Sequence, residues 1–216
     1  MRQRRLTWMI GGAGLVLCGV IGMLQFSVPG TSLAISVLVD VVFAAAVLLF
    51  AIGLSREGSV VARRPLGVTA LAVVAVWPLV MRAAQPLLPR VDAATFDSGL
   101  AAYREVEGIL NTVFFVDLAV SLAASLIACV QIARAGVVPK PWNWAPLWAL
   151  LVVIVAAAVP QLLFAATSPA GAQGYADMAV LLGRIGFLVR TLGLGIIALV
   201  LAARVRPDAV DVYRSA

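Results

Sequence analysis

The chain contains no histidine. That absence excludes His-ligated haem, His-based zinc sites and every histidine general base. Charge is scarce as well. Asp, Glu, Lys and Arg make up 12% of the 216 residues, against about 25% in an ordinary soluble domain. Lysine occurs once, at Lys140, among sixteen basic residues. With abundant Ala, Val and Gly, that bias reads as a GC-rich bacterial composition. The two cysteines, Cys18 and Cys129, lie inside apolar runs and form no C-x-x-C pair, which excludes a disulfide framework. No glycine-rich phosphate loop, paired metal-ligand motif or Ser/His/Asp set is present, so no cofactor and no metal are expected.

What is abundant is apolar. Hydrophobic residues form 63% of the chain, and the mean hydropathy is +1.07. Such a chain cannot cover a water-facing surface, and a disordered chain needs the opposite balance. The class expected is an all-α, polytopic integral membrane protein. Its net charge of +6 would suggest nucleic acid in a soluble protein; here it is read against membrane topology, and no nucleic-acid partner is expected.

A bilayer core about 30 Å thick takes about 20 apolar residues of helix. Six runs qualify, at 6–26, 33–54, 66–88, 109–133, 145–166 and 178–203. Helix is the expected state, because a backbone in lipid must satisfy its own hydrogen bonds. Period-two alternation, the mark of a membrane barrel, is absent. The first run exceeds the 7–15 residues of a signal-peptide core and no A-x-A site follows. It is expected to remain as the first span.

Proline and glycine punctuate the connections, at Pro29-Gly30, Pro65, Pro86, Pro89, Pro139, Pro141, Pro146 and Pro169. Pro78 and Pro160 are expected to kink the third and fifth spans. Residues 1–216 read as one membrane domain. A short helix is expected at about 98–107, lying on the outer surface or extending the fourth span.

The segments 1–5, 55–65, 134–144 and 204–216 fall on one side and carry eleven basic residues; the other side carries Arg90 and Arg104 with five acidic residues. This asymmetry puts both termini in the cytoplasm of a bacterium, with the chain in its inner membrane. Trp8, Trp142, Trp144 and Trp148 fall near that cytoplasmic interface, as anchors or packing groups. The lipid bilayer is the expected partner, and other membrane subunits are compatible with the sequence.

Cys18 and Cys129 invite comparison with six-helix thiol–disulfide transporters, which carry a cysteine in spans one and four beside proline. Here the sequences read Val16-Leu17-Cys18-Gly19 and Ile127-Ala128-Cys129-Val130. The depth gap of roughly 18 Å also exceeds disulfide reach, so this resemblance is rejected.

Five charges fall within the spans: Asp40, Arg82, Asp117, Arg184 and Arg190. Each costs about 2.5–3.5 kcal/mol near a helix centre. Asp40, Arg82, Asp117 and Arg184 share a layer roughly 9–12 Å below the outer surface, with Arg190 one to two turns deeper. Asn111 and Gln161 add neutral polar groups. Asp117, Ser121, Ser125 and Cys129 form one ridge of the fourth span, as a polar path or a small-residue packing surface. Gly183, Gly186 and Gly193 share a face with Arg190, which would turn Arg190 inward against Asp40, Asp117 or a bound anion.

Two functions fit. One is small-solute transport or capture through an outward-facing polar pocket, with the aspartates as acceptors and Arg190 and Arg184 holding an anion. The other is a structural, regulatory or sensory subunit whose charges are internal ion pairs. An intramembrane lipid enzyme would lack the usual acid–base groups.

Overall fold

The computed structural model describes residues 2–27, 33–55, 58–90, 99–166 and 172–204, and every regular element among them is helical. Helix α1 is Arg2–Ser27, α2 is Leu33–Ile52 and α3 is Pro65–Ala84, continued by a 3-10 turn at Gln85–Leu87. Helix α4 is Leu100–Ala135. A 3-10 turn, Trp142–Trp144, leads into α5, Ala145–Ala166. The last span is built in three pieces: α6, Ala172–Leu188; a π turn, Val189–Gly193; and α7, Leu194–Arg204. Six helices are long and apolar enough to cross a membrane.

The starts and stops have local causes. Pro65 opens α3 with an N–H that the first turn would leave unbonded in any case. Gly136, at φ +66°, stops α4 with a left-handed residue. Gly53, at φ +64°, does the same for α2. There a Cβ would meet the Ser59 nitrogen at 2.4 Å, so no larger residue fits. The freed carbonyls at this end are taken by Arg63, whose Nε donates to Ile52 O (2.8 Å) and whose NH2 donates to Gly53 O (3.2 Å). Helices α3 and α5 continue through Pro78 and Pro160.

Helix α4 has 36 residues, about 54 Å at 1.5 Å per residue. The short outer helix expected at 98–107 is, from Leu100 onward, the beginning of this one rod. The turn at Pro29-Gly30, the connection at Pro169, most of the 89–98 loop including Asp92 and Asp97, Arg56, and the tail beyond Arg204 lie outside the described residues.

The helices form an open ring. In order, α4 packs on α3, α3 on α2, α2 on α1, and α1 on the α6–α7 span, which packs on α5. The remaining junction, between α4 and α5, is much sparser than the others. Small residues set the tightest contacts. A Cβ on Gly195 would come within 2.9 Å of Gly12 O and 3.0 Å of Val16 N, so α1 and α7 meet backbone to backbone. Gly14 faces Ala46 of α2, and the Cys18 thiol lies 3.5 Å from Val39 O. The main core, around Phe43, Val47, Leu71, Ala75 and Ala128, lies between α1, α2, α3 and α4.

Candidate functional site

The charges within the membrane-length helices separate into two groups. On α2 and α3, Arg82 Nε donates to Asp40 Oδ2 at 2.5 Å, with the two side chains 30% and 18% exposed. Five residues earlier on α3, Trp77 Nε1 donates to Asp117 Oδ1 of α4 at 2.7 Å. Both aspartates are thus held by donors from α3, which ties α2, α3 and α4 together. The Asp40–Arg82 contact is the one ion pair found among the described residues. The indole N–H of Trp77 is thus the partner of a carboxylate as well as part of the packing.

Arg190 is bonded to neither pair, though the Asp40 carboxylate and the Cys18 thiol lie near enough to interact with it electrostatically. Arg190 lies within the π turn, where the chain passes through Val189–Gly193 with wider i→i+5 bonding. Such turns occur mostly as single insertions, frequently at functional sites. Its guanidinium carbon sits 4.8 Å from the centre of the Phe43 ring, a cation–π contact worth roughly 2 kcal/mol when desolvated. Asp40 precedes Phe43 by one turn of α2, but its carboxylate is engaged by Arg82.

The Arg190 side chain is nevertheless exposed, because it borders a cavity. That cavity measures about 320 Å³ and is walled by residues of all six spans. It runs from Phe43, Leu118 and Arg190 to Trp8, Val138 and Trp142 at the arginine-rich end. Arg190 is its one charged lining residue; Ser121, Ser125 and Cys129 add two hydroxyls and a thiol. The ridge read along α4 therefore divides. Three of its members face the cavity, and Asp117 faces Trp77.

At the arginine-rich end α1 is fastened to its neighbours. Trp8, 2% exposed, donates from Nε1 to Gly58 O at 3.1 Å. The Arg4 guanidinium lies 4.9 Å from the Trp8 ring and donates to Val137 O at 2.6 Å. Thr7 Oγ1 accepts from Leu54 N at 3.1 Å. Trp8 is therefore packed and bonded, while Trp142, Trp144 and Trp148 remain exposed. A second depression of about 380 Å³, on the far side of α5, shares Trp142, Ala145, Ala149, Leu194 and Ile197 with the first.

The other sequence candidates lie elsewhere. Asn111 and Gln161 are exposed on α4 and α5, away from the cavity. Arg184 is half-buried six residues before Arg190 and does not line it. The glycine stripe is not continuous. Nothing lies within 4 Å of a Cβ on Gly183, Gly186 approaches Val153 of α5, and Gly193 has only Leu188 O of its own span, at 3.9 Å. The π turn separates Gly193 from the other two, since an inserted residue rotates all that follows relative to an ideal α-helix. The cavity extends toward the arginine-rich end and is mainly apolar, whereas the sequence suggested a polar pocket toward the acidic end.

No family model, curated protein or solved structure matches the chain. Fold and site together define an all-helical bundle of six membrane-length helices around an apolar cavity with one arginine.

Proposed function

We propose that this is a bacterial inner-membrane protein, with both termini cytoplasmic, that captures or transports a small anionic solute in its interior cavity. The placement rests on the charge asymmetry of the connections: eleven basic residues against two. In that orientation the cavity occupies the cytoplasmic half of the bundle. The function rests on one observation. Arg190 is the sole charged side chain on the cavity wall, and the nearby Asp40 carboxylate, which interacts with it electrostatically, is bonded to Arg82 instead. A guanidinium in an apolar recess supplies most of the recognition an anion needs.

The test is ligand-induced stabilisation of the purified protein in lipid nanodiscs across a panel of organic and inorganic anions. At least one anion should raise the melting temperature in the wild type, and Arg190→Gln should abolish the increase. If no anion stabilises the wild type, or if Arg190→Gln responds equally, the reading is wrong.

A second reading, a structural or regulatory subunit working with other membrane proteins, is favoured by the Asp40–Arg82 and Trp77–Asp117 contacts. It makes these groups braces rather than ligands. It predicts that Arg190→Gln leaves the protein's cellular role intact while Arg82→Gln impairs it through stability.

A further inference from the structure

We infer that the anion is the carboxylate of a single-chain fatty acid, which reaches Arg190 sideways from the bilayer through the gap between α4 and α5. This rests on the anion-capture reading above and specifies its substrate.

Three features of the cavity carry the inference. The first is its access. At the arginine-rich end Trp8 and Arg4 pin α1 in place through their bonds to Gly58 and Val137. The α4–α5 junction is the sparse one in the ring, and both sides of it, Ser121 and Leu150 among them, line the cavity. Leu118, also a lining residue, is 40% exposed. A solute already dissolved in lipid meets the sparse side of the ring directly.

The second feature is shape. The lining residues of α4 run from Leu118 to Ile132, about 21 Å of helix. Spread over that length, 320 Å³ describes an elongated space that an extended alkyl chain can occupy. The wall beside it is apolar along its length, with Val47, Leu71, Ala128 and Leu194 among its residues.

The third is the head group. Arg190 lies at mid-depth, so the head must cross hydrocarbon to reach it. A carboxylic acid can cross as the neutral acid, because desolvation favours its uncharged form, and ionise where a guanidinium favours the charged one. A phosphate or sulfate ester stays charged throughout. The planar guanidinium also matches a carboxylate bidentately.

The experiment uses the full chain in phosphatidylcholine nanodiscs with dodecanoic acid, dodecanol, dodecyl phosphate and acetate as probes. Dodecanoic acid should half-saturate the thermal stabilisation at a concentration at least tenfold lower than dodecanol or dodecyl phosphate, and acetate should have no effect. Arg190→Gln should bring dodecanoic acid to the dodecanol level. Ser121→Trp or Leu150→Trp, which narrows the α4–α5 gap from either side, should slow the association of dodecanoic acid at least tenfold, by more than it raises the half-saturating concentration, without lowering the ligand-free melting temperature. Two variants on separate helices guard against misfolding of one. Acetate matching dodecanoic acid would overturn the chain requirement but leave anion capture standing. Equal binding of dodecyl phosphate would overturn the carboxyl assignment alone. Dodecanol equal to dodecanoic acid in the wild type would sink both the inference and anion capture. Unchanged association in both tryptophan variants would overturn the lateral route.

Discussion

Trp77 and Asp117 show what a single neutral donor can do for a charge in an apolar helix. The indole N–H bonds the carboxylate at 2.7 Å, and a buried acceptor that loses its donor costs about 1–3 kcal/mol. Trp77→Phe should therefore destabilise the protein by about 1–3 kcal/mol, read as a lower unfolding midpoint in mixed micelles. Asp117→Asn in that background should recover part of the loss, because an amide is cheaper to leave unbonded. Arg82→Ala should cost more, about 3–5 kcal/mol, since it strands the Asp40 carboxylate. Adding Asp40→Ala should restore much of that, and an additive double mutant would count against the pair. The five charges stand out in the sequence because charge is rare in apolar runs. Their pairing does not, because Arg82 chooses Asp40 and Asp117 takes a tryptophan, and indole carries no charge to draw attention to it.

At the scale of elements, the sixth span is the informative one. Its hydropathy reveals a helix but not the π turn at Val189–Gly193. Counting at a constant 3.6 residues per turn therefore places its later residues on the wrong face. Two substitutions separate the readings. Gly195→Ala inserts a methyl against the α1 backbone at Gly12 and Val16 and should cost about 1–3 kcal/mol. Gly183→Ala meets nothing within 4 Å and should be neutral or stabilising by up to about 1 kcal/mol. Parallel thermal unfolding of the two variants checks the contrast, and equal effects would argue against the crossing described. The other helices follow their sequence closely. Pro65 sits at its expected terminus and Gly136 ends α4, because each acts on the backbone of its own residue. The extension of α4 to Leu100 was one of two outcomes open to the sequence, since residues 100–108 suit helix whether they lie flat or stand up.

The whole molecule is an incomplete ring, and its openness could not be read from hydropathy. Six spans of similar apolarity fit many circular orders, and only packing decides which neighbours meet. Orientation, in contrast, is read from the loops alone. Fusion of alkaline phosphatase at the C-terminus should be inactive, and fusion of a fluorescent protein that folds only in the cytoplasm should be bright. The reverse pattern would invert the topology and move the cavity to the outer half of the bilayer.

The position of α1 has a consequence for biosynthesis. One flank of α1 packs on α2, which follows it directly, but the other packs on α7, the last of the described helices. At roughly 5–20 residues per second, the interval between completing Ser27 and completing Arg204 is on the order of ten to thirty seconds. Throughout it, the face carrying Gly12 and Gly19 has no partner from its own chain. The nascent protein is an open arc that must be kept from closing on a neighbouring copy, and the backbone contact at Gly12 and Gly195 is among the last that can form.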